Sequence, residues 1–322
     1  MKWKKLGKLF DPTTVPDKEW MKEFAQCTST LILEDRVRIY FSCRPYKDQD
    51  GQAKSYTAFI DVDKNNLFNI INIAEEPVLP LGGLGTFDEF AVYPTSVIKH
   101  YDEVRLYYAG WTRMKSVPFN TAIGVATSNN NGITFERIGT GPILSASVDE
   151  PFVLSGPKVR QYDGMWYMFY LAGSKWIMNE NKPEIVYKIR MAISKDGYSW
   201  NKINKNIIKD ILEPDECQAG PDVFYKDGKY HMYFVYRYAL DFRNNRDRGY
   251  RIGYAYSHNL IDWTRDDKNV GIHYSESGEW DGDMHHYPHI FELDGNHYML
   301  YNGNEFGKYG FGLAILEDDS KL

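Results

Sequence analysis

Polar and apolar residues alternate along this chain in short runs, with turn residues between them. Alternation with a period of two is the mark of half-buried strands, not of helices. Residues 157–203 show the pattern well. Pro157-Lys158-Val159-Arg160-Gln161-Tyr162 alternates, Asp163-Gly164 reads as a hairpin turn, and Met165-Trp166-Tyr167-Met168-Phe169-Tyr170 is an aromatic strand. A polar loop is expected next. A third strand follows over residues 185–193, then a turn at Asp196-Gly197, and Trp200-Asn201-Lys202-Ile203 opens a fourth strand. The unit predicted is a four-stranded antiparallel meander.

The same order recurs along the chain. Five strand phrases carry an alanine at matching places: Ala58, Ala126, Ala192, Ala255 and Ala314. By subtraction the intervals are 68, 66, 63 and 59 residues. A degenerate repeat of this period means one supersecondary unit used five times. Five such sheets predict an all-β fold, a five-bladed β-propeller spanning residues 1–322 as a single domain. An open two-sheet sandwich also uses many short strands, but it needs no fixed period. The fifth unit stops at Phe311-Gly312-Leu313-Ala314-Ile315-Leu316 without an outer strand, and Trp3-Lys4-Lys5-Leu6 resembles the outer strands of other units. The N-terminal strand is therefore expected to complete the last blade and close the ring.

Composition narrows the partners. The net charge is −6 and the pI about 5.8, which argues against a nucleic-acid or anionic membrane surface. No apolar run has the length of a membrane span, and no apolar signal core follows the basic start at Met1. Three cysteines, Cys27, Cys43 and Cys217, suit reduced thiols. A cytoplasmic protein without a cofactor is expected.

The repeat also predicts where chemistry should sit. In a propeller the start of each innermost strand and the end of each second strand surround the central channel. Acidic pairs precede the inner strands: Asp88-Glu89, Asp149-Glu150, Asp215-Glu216 and Asp281-Gly282-Asp283. Arg44, Trp111, Trp176, Arg237 and Asn302 follow the second strands. Convergent carboxylates could act as acid, base or nucleophile on a glycosidic bond. Aromatic faces would pack on the sugar, with Asn and Arg on its hydroxyls. The plainer reading makes the acidic residues turn formers and the tryptophans blade packing. A metal at Asp281-Gly282-Asp283-Met284-His285-His286 is not expected, because adjacent histidines on an extended chain face opposite ways. Cys217 has no histidine placed in sequence to activate it.

These residues resemble a family. The five-blade pattern is similar to the glycoside-hydrolase propellers of the arabinanase/β-xylosidase, invertase/levanase and mannoside-phosphorylase type. Asp281-Gly282-Asp283-Met284, Tyr287-Pro288, the run Tyr298-Met299-Leu300-Tyr301-Asn302-Gly303-Asn304 and Gly310-Phe311-Gly312-Leu313-Ala314 look like bacterial propellers described by their likeness to glycosidases, which accompany polysaccharide-biosynthesis genes. The departures lie at the family's acids. Where the resemblance would place acidic residues, this chain has Gln26-Cys27-Thr28-Ser29, Ser155-Gly156-Pro157 and Ala219-Gly220-Pro221. The resemblance thus implies a glycoside-active enzyme whose acids sit elsewhere. Glu216 is the expected general acid and Asp88 or Asp283 the base or nucleophile, with Glu150 positioning the sugar. Arg44, Glu89, Trp111, Trp176, Arg237, Asp281, His286, Asn302 and Asn304 are expected to bind a carbohydrate partner, and the two arginines leave room for an acidic sugar or phosphate. A carbohydrate-binding propeller without catalysis, a phosphorylase or transferase, and a protein-interaction propeller are the alternatives.

Overall fold

The computed structural model describes residues 1–49, 51, 53–212 and 215–317. The chain opens with β1 (Trp3–Phe10) and then builds four complete sheets in order. Blade 1 is β2 (Glu23–Ile32), β3 (Arg36–Arg44), β4 (Tyr56–Asp63) and β5 (Asn66–Ile73). Blade 2 is β6 (Ala91–His100), β7 (Glu103–Arg113), β8 (Phe119–Ser128) and β9 (Glu136–Arg137). Blade 3 is β10 (Leu154–Tyr162), β11 (Met165–Asn179), β12 (Lys182–Ser194) and β13 (Asn201–Lys202). Blade 4 is β14 (Cys217–Lys226), β15 (Lys229–Arg237), β16 (Arg251–Ser257) and β17 (Thr264–Arg265). Blade 5 has β18 (His286–Leu293), β19 (Asn296–Asn302) and β20 (Phe311–Leu316), and β1 returns as its outer strand.

The fold is thus a five-bladed β-propeller of four-stranded antiparallel sheets, closed by the N-terminal strand. β1 pairs with β20 from Trp3↔Leu316 to Phe10↔Phe311 and buries Trp3, Leu9 and Phe10. The turn chemistry explains the inner hairpins. Asp163-Gly164, Asp227-Gly228 and Asp294-Gly295 all have positive φ at both residues, 49° and 76°, 50° and 76°, and 49° and 73°. That is the type I′ geometry, whose twist matches the flanking strands.

Apolar side chains pack in layers between neighbouring blades, so each blade is held mainly by the next one. The five repeated alanines sit on the third strands and are fully buried. In four blades the alanine lies opposite a basic residue of the outer strand: Ala126↔Arg137, Ala192↔Lys202, Ala255↔Arg265 and Ala314↔Lys5. Its other neighbour is an apolar second-strand residue in all five: Phe41, Leu106, Met168, Met232 and Met299.

One local expectation is corrected. The polar loop predicted after Tyr170 is a continuation of the hairpin, with β11 reaching Asn179 and β12 starting at Lys182. A register shift between Gly173 and Lys175 lets the pair turn and go on. The extended ribbon carries Trp176 and Glu184 to the rim of the central channel.

Candidate functional site

All five inner strands break register at the same height. The shifts fall between Gln26 and Ser29, Tyr93 and Ser96, Ser155 and Lys158, Ala219 and Asp222, and His286 and His289. A bulge re-aims side chains. Four of these bulges hold a residue at positive φ: Cys27 (57°), Gly156 (62°), Gly220 (54°) and Tyr287 (50°). Glycine takes that conformation freely, whereas Cys27 and Tyr287 take it at a cost that the surrounding structure must sustain. Pro94, Pro157, Pro221 and Pro288 stand within the bulges of blades 2 to 5, where no ladder donor is required.

The bulges form the floor of a cavity of about 340 Å³ to which every blade contributes. Its wall is aromatic. Tyr93, Trp111 and Phe119 stack in series, at 5.3 Å and 4.5 Å between ring centroids, and Trp176 meets Phe119 edge-on at 5.7 Å. Tyr187, Tyr250 and Phe242 surround Arg237 on the far side, with the Phe242 ring 3.5 Å from its guanidinium carbon. Trp111 Nε1 and Thr28 Oγ1 are buried and have no hydrogen-bond partner. A second, more open cavity of about 950 Å³ adjoins the first and shares Phe24, Arg44, Phe242, Arg243 and Phe306 with it.

The electrostatics are one-sided. Arg44, Lys158, Lys182, Arg237 and Arg243 line the central cavity against one carboxylate, Glu184, which Arg243 pairs. Burial presses the Lys158 ammonium down to about 8, against the pull of Asp222, and lifts the Cys27 thiol up to about 12. Beneath the floor, Thr30 N–H donates to His289 Nε2 at 3.0 Å, so the ring proton sits on Nδ1, 2.8 Å from Asp222 Oδ2. Burial, with Lys158 beside it, keeps His289 neutral by lowering it to about 3. His286 is also held well below its usual range, by burial and then by Arg237. Its neighbour His285 faces the other way, toward Asp281 and Lys5. Among the described residues no group of three or more His, Cys, Asp or Glu is placed to hold a metal ion.

The acidic residues expected in the channel are elsewhere, and the physical reason is the same in each blade. Asp88, Glu150, Glu216 and Asp281 are at most 2% exposed, and none lines the cavity. Each ties the loop ahead of its blade to the basic residue opposite the repeated alanine: Arg137, Lys202, Arg265 and Lys5 lie at 2.7, 2.7, 2.5 and 2.7 Å. In three blades a second-strand tyrosine adds a hydrogen bond: Tyr108 to Asp88 and Tyr170 to Glu150 at 2.9 Å, and Tyr301 to Asp281 at 3.0 Å. Blade 4 has Phe234 at that place, and Glu216 instead accepts from Ile211 and Leu212 N–H at 3.0 Å each. Blade 1 has Cys43 there, and among the described residues no outer-strand partner stands opposite its Ala58.

The other expected residues divide. Arg44, Trp111, Trp176, Arg237 and His286 line the cavity together. Asn302 does not; it is fully buried and donates to the carbonyls of Ala25 and Gly310 at 2.7 Å each. Glu89 accepts from Gly85 N–H within its own loop. Asp283 and Asn304 line the second cavity, where Asn304 Oδ1 accepts from the backbone of Asp283 and Met284. The sequence reading missed Glu184, Lys158, Tyr187, Tyr250, Phe119 and Arg243. The five bulges could have pointed to Lys158, because a proline precedes it in the repeated phrase.

The chain is 36% identical over 319 residues to the uncharacterized protein Rv1502 of Mycobacterium tuberculosis (strain ATCC 25618 / H37Rv), covering 99% of this chain and all of that protein. The chain belongs to the family of this mycobacterial protein. No family model matches it. Its structural neighbours are glycoside hydrolases with five-bladed propeller folds. One, a glycoside hydrolase, gives a TM-score of 0.74 at 17% identity over 98% of this chain and 93% of its own. A thermostable family-43 glycoside hydrolase gives 0.65 at 16% identity, over 92% and 91%. The three phrases around Gln26, Ser155 and Ala219 fall at the cavity floor, and no acid stands in them.

Proposed function

We propose that the protein is glycosidase-like and takes a sugar into the central cavity. One observation carries this reading. An aromatic wall from Tyr93 to Trp176 lines a cavity that polar side chains, Thr28, Arg44, Lys158 and Arg237 among them, also line. A sugar meets both demands at once, since its C–H faces pack on rings while its hydroxyls satisfy donors and acceptors. Glu184 is the carboxylate placed to exchange a proton with a bound sugar. Two-carboxylate hydrolysis needs a partner about 5–10 Å away, and among the described residues the lining of the central cavity offers none. Cleavage here would therefore rely on an acceptor that carries its own nucleophile, such as phosphate. The acceptor oxygen would bond to the anomeric carbon as the bond to the leaving oxygen breaks.

The pairing of Glu184 with Arg243 favours a second reading, binding without turnover. A glycan array followed by product analysis on each bound glycan, with and without phosphate, separates the two. Turnover in the natural protein that disappears in Glu184→Gln while binding persists supports catalysis. Binding without product on every glycan supports the lectin-like reading. No binding of any glycan refutes both.

A further inference from the structure

Arg44 and Arg237 end the second strands of blades 1 and 4, on either side of blade 5, and both line the central cavity. Arg237 is 2% exposed. Its guanidinium donates only to neutral groups, the Tyr238 and Ala239 carbonyls at 2.8 and 3.0 Å and the Tyr187 hydroxyl at 3.1 Å. Arg44 likewise donates to Ser55 Oγ at 2.9 Å, to Gln26 Oε1 at 3.3 Å and to the Tyr93 hydroxyl. Neither pairs with a carboxylate among the described residues, whereas the buried Arg38 and Arg105 pair with Asp61 and Glu103 at 2.7 Å each. An arginine kept charged in a desolvated site without a counter-charge is costly, because desolvation is not offset. Stacked rings recover part of that cost around Arg237. The full offset would come from an anion in the cavity that both arginines line.

We infer that the ligand is an acidic sugar, held through an oxyanion, carboxylate or phosphate, by Arg44 and Arg237. This rests on the carbohydrate reading above and narrows it. A guanidinium fork matches the planar face of either oxyanion. Phe24 packs beside Arg44 at 4.4 Å and Phe242 beside Arg237, and Arg44 Nη1 makes no hydrogen bond among the described residues.

The test is calorimetric titration of the full chain with matched pairs: galacturonate and glucuronate oligosaccharides, sugar phosphates, their neutral counterparts, and inorganic phosphate alone. Acidic sugars should bind more tightly than neutral ones by about 10- to 100-fold, the range for a charge-assisted hydrogen bond. Arg44→Gln and Arg237→Met should each erase that preference, with Arg44→Lys retaining part of it. Circular dichroism checks that the variants fold, and Arg44→Gln keeps the test alive if Arg237→Met does not. Preference for uronates or for sugar phosphates supports the inference and identifies the oxyanion. Equal binding of neutral sugars overturns it and leaves the carbohydrate reading intact. Inorganic phosphate binding as tightly as any acidic sugar also overturns it, since charge alone would then be recognised. Failure of all sugars overturns both.

Discussion

Replacing Asp281 by Asn should weaken the closure of the ring without touching the cavity. The carboxylate is 2% exposed and accepts from Lys5 Nζ at 2.7 Å and the Tyr301 hydroxyl at 3.0 Å. Burial would raise its proton affinity, but hydrogen bonds from His285, Lys5 and Ser275 prevail and hold it well below the usual carboxylate range. Breaking a buried pair by removing one partner costs about 3–5 kcal/mol. The Lys5 side chain is 23% exposed and can turn to water, which brings the expected loss to about 2–3 kcal/mol. With an unfolding entropy of about 2.1 cal/mol/K per residue, that lowers the melting temperature by roughly 3–4 °C for this chain length. Because the folded-state value is depressed, the contribution is complete above the unfolded value near 4 and vanishes as pH falls through the folded one. The gap between the natural protein and Asp281→Asn should therefore be constant from pH 6 to 8 and shrink in acid.

Scanning calorimetry on Asp281→Asn, Lys5→Met and the double variant measures the coupling directly. The reasoning expects a coupling of about 1–3 kcal/mol and unchanged affinity for whatever sugar binds. Additive single effects would refute the ion pair as a clasp. Lost binding or turnover in a normally folded Asp281→Asn would return the acidic residues to the active site.

Two further outcomes follow from the same structure. His286 and His289 are buried neutral, so the unfolded chain takes up their protons first as pH drops below about 6.5; stability should fall by up to ~2.7 kcal/mol per pH unit for the pair. Urea unfolding between pH 7 and 5 checks this, and a flat profile contradicts it. Deleting residues 1–10 removes β1 with buried Trp3, Leu9 and Phe10, which at about 1.5–3 kcal/mol each amounts to about 5–9 kcal/mol; unchanged thermal unfolding would count against closure by this strand.

Much of the fold was legible because strand period and turn chemistry are local. Asp163-Gly164 and its counterparts adopt the conformation that their residue types demand, and no distant contact had to be known. The extended ribbon after Tyr170 was not legible, since Trp176, Ile177 and Met178 stand between polar residues at Ser174-Lys175 and Asn179 to Lys182, and a register shift after Gly173 lets the strand continue. The site was half legible. Arg44, Trp111, Trp176 and Arg237 end strands, and strand ends follow from the pattern. The fate of Asp88, Glu150, Glu216 and Asp281 depended on where their side chains turn. That is decided by partners 49, 52, 49 and 276 residues away in sequence, Arg137, Lys202, Arg265 and Lys5.

The repeat itself offers a criterion that separates scaffold from site. Five blades surround one axis, and a substrate on that axis is not five-fold symmetric. Side chains that bind it must differ from blade to blade. Side chains that hold each blade together face the same task every time and can be alike. The carboxylate and the outer-strand cation recur together beside the repeated alanine in four blades, with or without the tyrosine, since blade 4 keeps Glu216 beside Phe234. Recurrence at that level marks a structural device. The second-strand ends read Arg44, Trp111, Trp176, Arg237 and Asn302, and the floor reads Cys27, Gly156, Gly220 and Tyr287 at the positive-φ place. These positions share backbone geometry but not chemistry. Such divergence on a shared frame is what an asymmetric ligand requires, and the proposed role of Arg44 and Arg237 meets that requirement where the repeated acids do not.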